Sequence, residues 1–266
     1  MRYAIKFAYD GTKFEGYARQ PGKTTVEGNI IKAMKGLGII TTTRAANQQT
    51  ASRTDRGVSA IGNVIAVDTD FAQDALCDAL NSHLEGIVFH SAVAVPDDFN
   101  ARHARQRWYR YFFLKDQCPP VKELKTAAKL FVGEYNFRQF SKKSTGNETT
   151  ILKIDSIEFT ESGDFLLVDV KAHRFLWELV RRMLAAILEL ANGRVEPAFV
   201  KEMLENSVIH PKGFNPLEPE FLVLMDVFYG FEFENSSDPQ NYFDDETRRL
   251  KRLSKTMSQI SDIISS

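Results

Sequence analysis

One carboxylate in this chain, Asp55, has surroundings that suit chemistry. It lies between Arg53 and Arg56, two residues before Gly57, in a stretch that leads into an apolar run. Neighbouring cations favour the ionised form of a carboxylate, and loops carried on a sheet are common places for catalytic side chains. A tight turn with solvated arginines fits the same residues, because Asp and Gly both favour turns. On turn chemistry alone, the turn is the better interpretation.

A second stretch, 101–113, combines guanidinium groups with aromatic rings and contains no acid. Guanidinium groups suit phosphates and aromatic faces stack on unpaired bases, so this composition is typical of a surface that binds single-stranded or loop RNA. A half-buried strand fits equally well, with Trp108 and Arg110 on one face and the intervening tyrosines on the other. The arginines of the stretch are Arg102, Arg105, Arg107 and Arg110.

The hydrophobic pattern predicts the elements that must position these groups. Alternation at 3–8 predicts a first strand, which Asp10-Gly11 ends. The spacing of Thr24 and Glu27 matches a capping box, so a helix should begin after Thr24 and end at Gly38. Further strands are expected at 61–67, 87–95, 151–160, 165–172 and 221–229. Further helices are expected at 71–84, 121–131, 176–191 and 197–206.

Length and composition indicate an α+β protein of two similar halves. With 266 residues, 43% of them hydrophobic, the chain can bury a substantial core. The order strand, helix, strand, helix, strand in the first part predicts a layer of the split βαβ kind. We expect an N-terminal domain at 1–100, a C-terminal domain at 101–231, and adjoining antiparallel sheets with a cleft between the domains. The polar tail, 232–266, fits either a docked helix or a disordered extension.

The overall charge does not point to a polyanionic partner. Lys and Arg number 34 against 35 Asp and Glu, a formal net charge of -1, so an RNA surface would need locally segregated charge. The sequence lacks a long apolar run and begins without the core of a signal peptide, which predicts a cytoplasmic protein without membrane association. Cys77 and Cys118 lack metal-ligand spacing and the histidines are scattered, so we expect no metal site.

Five short motifs, in order along residues 1 to about 230, resemble the tRNA pseudouridine synthase A family. Each motif is weak alone, but five in the right order are specific. The resemblance outweighs the interpretation of Asp55 as a bare turn. The motifs are Phe14-x-Gly16-Tyr17-x-Arg19-Gln20, Arg53-Thr54-Asp55-x-Gly57-Val58, Phe99-x-Ala101-Arg102 with Tyr109-Arg110-Tyr111, Phe175-Leu176-x-x-x-Val180-Arg181 and Leu222-x-Leu224-x-x-Val227-x-Tyr229.

The resemblance implies a synthase that isomerises uridine to pseudouridine in tRNA without metal or organic cofactor. Asp55 matches the family's catalytic aspartate, and Arg53 matches an arginine that helps to extrude the target base. Tyr109 should stack on the extruded uracil, and Arg181 should pair with the aspartate. Leu222 should line the base pocket. The resemblance and the basic stretch together give as RNA-binding residues Arg19, Arg56, Arg102, Arg105, Arg107 and Arg110.

Several positions depart from the bacterial pattern of the family. Arg56 stands where a small residue is usual, Ser59 where a histidine is usual, and Phe221 where a glycine is usual. This form is closer to archaeal and eukaryotic relatives. The family implies a homodimer, and its bacterial members modify uridines of the anticodon arm, around positions 38 to 40.

Structural roles remain open for three of the site residues. Arg181 could be a solvated arginine on a helix flank, Tyr109 could fill the core, and Leu222 could be ordinary packing. A catalytically silent RNA-binding protein on the same scaffold would keep the arginines and aromatic residues without needing Asp55. A metal-dependent nuclease would need clustered acids, and the motifs supply only one.

Overall fold

The computed structural model describes residues 1–142, 149–208 and 213–234. Within these ranges it contains nine strands and five α-helices, which confirms the mixed α+β class. The strands are β1 (Arg2–Tyr9), β2 (Gln49–Thr50), β3 (Ser59–Asp68), β4 (Ile87–Val95), β5 (Gln106–Leu114), β6 (Gly133–Asn136), β7 (Ile151–Ser162), β8 (Phe165–Ala172) and β9 (Leu222–Phe228). The helices are α1 (Val26–Gly36), α2 (Gln73–Asn81), α3 (Val121–Ala128), α4 (Leu179–Ala191) and α5 (Pro197–Leu204).

The strands form one continuous sheet in the order β4-β1-β3-β9-β5-β8-β7-β6, with β2 paired to β3. Strand β9, the last in the described chain, joins the two halves: it runs antiparallel to β5 and parallel to β3. The parallel pairing is short and places Ser59 beside Val223 and Ala60 beside Leu224. The two halves therefore adjoin as expected, whereas the domain boundary after residue 100 stays a prediction.

Both faces of β1 are covered, although alternation predicted a strand with one apolar face. Ile5 and Phe7 are fully buried on one face. On the other face, Arg2 donates to the carbonyl oxygen of Phe99 at 2.7 Å, and Lys6 pairs with Asp226 at 2.6 Å. These contacts explain how charged residues are accommodated in a central strand.

Three predicted helix starts were wrong, and α2 begins at Gln73 instead of residue 71. The N-cap of α1 is Thr25, whose hydroxyl accepts from the Gly28 amide, whereas Thr24 makes no capping box with Glu27. Helix α4 begins at Leu179 because Glu178 has φ 61°, a left-handed conformation that interrupts the helical run. The residues before Glu178 therefore lie in a loop from His173 to Glu178, even though Leu176 is buried.

The expected polar tail lies mostly outside the described residues. Of the polar tail, only 232–234 is described, and the choice between docked helix and disordered extension concerns residues beyond it. The described start of the tail packs Phe233 against Phe231 and Tyr229, with ring centroids 5.3 Å and 6.4 Å apart. Across the described ranges we find no helix with the length and apolarity that crossing a bilayer requires.

Candidate active site

A cleft of about 870 Å³ opens where the loop before β3 meets β5, β9 and the loop before α4. Most residues predicted from the sequence line this cleft, although they are far apart in the chain. Arg19, Arg105 and Arg110 do not line it. The predicted residues that do are Arg53, Asp55, Arg56, Arg102, Arg107, Tyr109, Arg181 and Leu222.

Asp55 and Arg181 form an ion pair in the cleft. Arg181 Nη2 donates to Asp55 Oδ2 at 2.6 Å, and Arg181 Nη1 donates to the Leu217 carbonyl oxygen at 2.8 Å. The arginine side chain is 7% exposed and the aspartate side chain 21% exposed. A buried guanidinium needs a charged partner, because removing that partner leaves an uncompensated buried charge. The pair thus keeps an anionic oxygen of Asp55 at the edge of solvent.

The Asp55 loop, residues 51–58, is held by polar side chains from the sheet. Asn63 Nδ2 donates to the Ser52 carbonyl oxygen at 2.9 Å, and the hydroxyls of Tyr9 and Thr54 lie 2.7 Å apart. The first bond satisfies a loop carbonyl group, and the second fixes a loop side chain. The position of the aspartate is therefore set by two neighbouring strands.

Glycines allow the loop to pack closely. Gly57 has φ 87°, and a Cβ atom added there would lie 3.0 Å from Pro219 Cγ. A Cβ atom on Gly11 would lie 2.1 Å from the carbonyl oxygen of Val58. A left-handed conformation and close backbone approach both favour glycine. The sequence motif around Asp55 thus has a structural basis at Gly57.

Arg107 holds the same loop from β5, and its expected role as an RNA contact stays a prediction. Its side chain is buried, and every donor that we can assign bonds to protein oxygens. Nε donates to Ser52 Oγ at 3.1 Å, and Nη2 donates to the carbonyl oxygens of Ala51 and Arg102 at 2.9 Å each. Nη1 donates to the carbonyl oxygen of His173. This arginine connects the Asp55 loop to the two other loops at the cleft.

Arg110 lies on the opposite face of β5. It donates from Nε and Nη2 to the two carboxylate oxygens of Asp169, both at 2.8 Å, and this pairing raises its pKa further. Trp108 Nε1 also donates to Asp169, at 2.6 Å. The half-buried strand is therefore the correct interpretation of this segment, and its four arginines do not share one surface.

The remaining predicted cations are exposed. Arg53, Arg56 and Arg102 lie at the cleft, where their charge faces solvent. Arg19 and Arg105 are exposed outside it. Three free guanidinium side chains at one opening suit a polyanion.

Tyr109 and Leu222 form buried walls of the cleft. The Tyr109 side chain is 8% exposed, and its ring meets Phe175 edge-on with centroids 5.1 Å apart. Burial raises the pKa of the Tyr109 hydroxyl to about 12, so this hydroxyl is neutral at physiological pH. Leu222 is also buried at the cleft. An apolar wall and a neutral phenol suit a planar, uncharged ring.

Among the cleft residues that the sequence did not predict are Lys142, Arg174, Trp177 and Glu178. Glu178 accepts from Arg182 Nε at 2.9 Å and lies 3.8 Å from Arg181 Nη2. The signal that could have found three of them is their position beside or within the motif of Phe175 and Arg181. No group of His, Cys, Asp and Glu in the described part of the chain could hold a metal ion.

Fold and cleft together define a class of protein: an α+β protein with a carboxylate–arginine pair in a cleft that has a cationic opening. The family described as tRNA pseudouridine synthase matches residues 127–230. The chain is 41% identical to tRNA pseudouridine synthase A of Pyrococcus abyssi over 235 residues, which cover 88% of this chain and 87% of that protein. It is 35% identical to the Methanosarcina mazei protein of the same name, over 99% of both. The chain therefore belongs to the tRNA pseudouridine synthase family.

A solved structure described as a Cbf5-Nop10-Gar1 complex is also similar, with 12% identity, a TM-score of 0.37, and coverage of 84% of this chain and 58% of that chain. A score this low supports no conclusion about the site. The sequence relatives are archaeal, in line with the branch that the motif around Asp55 indicated.

Proposed function

We propose that Asp55 performs the reaction of the family in this chain, the isomerisation of uridine to pseudouridine in tRNA. The observation that carries the proposal is the ion pair between Asp55 and the buried Arg181, in a cleft with exposed arginines at its opening. A silent RNA-binding protein would need the exposed arginines but would have no use for this pair.

The reaction breaks the bond between ribose C1′ and uracil N1, turns the base, and joins C1′ to C5. The proton on C5 is lost, and N1 gains a proton. A carboxylate can assist by adding covalently or by stabilising positive charge on the sugar, and it must be anionic for either. Arg181 supports the anion of Asp55 and fixes its direction.

The walls of the cleft suit an extruded uracil. A base must leave its stack before a side chain can reach its glycosidic bond. Tyr109 and Leu222 offer buried aromatic and apolar surface next to Asp55, and Arg53 lies exposed at the opening, where it would meet the RNA backbone. We therefore assign base contact to Tyr109 and Leu222, and substrate positioning to Arg53.

Further parts of the proposal rest on the family resemblance. They are a target in the anticodon arm around positions 38 to 40, a homodimeric assembly, a cytoplasmic location, and domains divided after residue 100. Exposed Arg56 and Arg102 at the cleft, with Arg19 and Arg105 outside it, are the proposed tRNA contacts.

The replacement Asp55→Asn tests the role of the carboxylate. Because an amide of the same shape cannot supply the anion, pseudouridine formation should fall by about 10⁴-fold or more, while tRNA affinity changes by less than about threefold. Pseudouridine mapping in tRNA and a filter-binding titration measure the two quantities. Asp169→Asn is the matched control. Asp169, on β8, also pairs with an arginine, but that arginine is Arg110, which lies on the face of β5 opposite to Arg107. Turnover retained by Asp55→Asn would rule out the proposed role.

A further inference from the structure

Trp177 is an exposed tryptophan at the cleft to which neither the sequence nor the comparisons assign a role. Its side chain is 48% exposed, whereas Leu176 before it is buried. It lines the cleft together with Asp55 and Tyr109. Leaving half of an indole in water forgoes much of its hydrophobic stabilisation. A half-exposed indole at the opening of the cleft therefore suggests a ligand that covers its exposed surface.

Lys142 fixes the position of this indole. Its amide donates to the Trp177 carbonyl oxygen at 2.8 Å, and its ammonium lies 4.3 Å from the Trp177 ring centroid. The same ammonium is 3.6 Å from Glu178. The cleft thus presents an aromatic ring with a cation against it, a combination that suits a base and its phosphate.

The other tryptophan shows what a structural indole looks like in this chain. Trp108 donates through Nε1 to Asp169, and its ring has Arg110 at 5.2 Å and Lys171 at 5.4 Å. Both tryptophan rings thus have a cation against them, and the contact particular to Trp108 is the bond from its indole N–H to Asp169. Trp177 is the one of the two that faces the cleft.

We propose that Trp177 stacks on the unpaired nucleotide next to the target uridine. The target base itself must enter between the buried walls at Tyr109 and Leu222 to reach Asp55, so Trp177 at the exposed rim meets a neighbour. Extrusion of the target removes one stacking partner from each adjacent base, and an aromatic ring replaces such a partner without reading its sequence. This inference rests on the proposed function, because it requires an extruded tRNA base.

Binding to an inactive protein tests the inference apart from turnover. In the Asp55→Asn background, Trp177→Ala should weaken unmodified tRNA binding about 5- to 100-fold, the loss of one base–aromatic stack, and Trp177→Phe should restore most of it. Phe165→Ala is the matched control, because Phe165 is 42% exposed on the hairpin of β7 and β8 and does not line the cleft. Equal losses for Trp177→Ala and Phe165→Ala would overturn the inference.

A double-mutant cycle identifies the partner nucleotide. Substrate tRNAs carry an abasic site either 5′ or 3′ of the mapped target uridine, and each is titrated against Trp177 and Trp177→Ala proteins. Trp177→Ala and the abasic site each lower the affinity for tRNA. If Trp177 stacks on the missing base, these two losses of affinity should not add at one of the two positions. Additive losses at both positions would overturn the inference.

Fluorescence reports the contact directly, because the chain contains two tryptophans and Trp108→Phe leaves Trp177 alone. Its emission should change on tRNA addition with the midpoint of the binding curve, and unchanged emission at saturation would exclude stacking. If tRNA is bound and modified but these signals are absent, the inference fails and the proposed function stands. If tRNA is not bound at all, both fail.

Discussion

At the scale of single residues, the direction of the Asp55 carboxylate depends on Arg181, a buried cation. The planar guanidinium of Arg181 donates one hydrogen bond to Asp55 and one to the Leu217 carbonyl oxygen. Its Nε has no partner among the described residues. A lysine ammonium carries the same charge but cannot hold two acceptors in the same fixed geometry. The direction of the Asp55 carboxylate, and not only its charge, therefore depends on the guanidinium.

Arg181→Lys should lower kcat for pseudouridine formation by about 100-fold, because a displacement of about 1 Å at a reacting group has that effect. The KM for tRNA should change little, since the exposed arginines are intact. Single-turnover kinetics separate the two quantities. Arg182→Lys is the matched control: Arg182 is the next residue of α4 and pairs with Glu178 instead of Asp55. Similar effects of the two replacements would contradict the role given to Arg181.

At the scale of elements, β5 positions the Asp55 loop through Arg107. Four protein oxygens from three separate segments accept from this one side chain. A site must be fixed by its supporting residues before the substrate arrives, because loosely held groups lose catalytic efficiency. Arg107 is thus a positioning residue, whereas exposed Arg102 is available to phosphates.

The salt dependence of tRNA binding distinguishes the two arginines. Each lost phosphate contact lowers the slope of log affinity against log salt by about one. Arg102→Met should show that decrease, whereas Arg107→Met should leave the slope unchanged and lower kcat instead. Loss of the buried bonds should also lower the free energy of unfolding by about 3 kcal/mol. Binding titrations at several salt concentrations measure the slope for each variant. Equal slopes for both variants would show that Arg107 contacts the RNA.

The contrast between these arginines shows what sequence could predict. Alternation along 106–113 predicted two faces of a strand, and that was correct. It could not show that one face meets Ala51, Ser52 and His173, because those partners lie about fifty or more residues away in the chain. Local spacing likewise placed the start of α4 too early, since Leu176 is buried from a loop as well as it would be from a helix.

The Asp55 site could be predicted from the sequence for a different reason. Its five motifs resemble those of a known family, so their order in the chain pointed to that family without any geometry. Trp177 and Glu178 fall between the motif positions, so only their place in the chain between Leu176 and Arg181 could have indicated them. Their importance depends on the left-handed turn at Glu178, which places the loop before α4 at the cleft.

At the scale of the whole molecule, the site exists only where the two halves join. Asp55 comes from the first half, and Tyr109, Arg181 and Leu222 come from the second. The join includes just two parallel residue pairs between β3 and β9. Strand periodicity cannot predict such a pairing between distant segments, because it carries no information about the partner strand.

Five tyrosine side chains make the stability of this protein depend on pH in the alkaline range. Burial raises the pKa of Tyr9, Tyr17, Tyr109, Tyr111 and Tyr229 above the ordinary value of a tyrosine. Above about pH 10 the unfolded chain therefore releases protons that the folded chain retains, and the free energy of unfolding must fall as pH rises. Below that pH both states are protonated, so the stabilising contribution is complete.

The decrease of the free energy of unfolding with rising pH can be assigned to single tyrosines. Each tyrosine that stays protonated only in the folded state lowers the free energy of unfolding by about 1.4 kcal/mol per pH unit above its unfolded pKa. Tyr17→Phe removes one such group, whose hydroxyl donates to Thr50 at 2.9 Å. Urea unfolding at about pH 9 and about pH 11 should show a smaller loss of stability for Tyr17→Phe than for the unaltered chain, by about 1 kcal/mol. Identical losses would mean that Tyr17 ionises in the folded protein as readily as in water, which its complete burial between β1 and the Asp55 loop opposes.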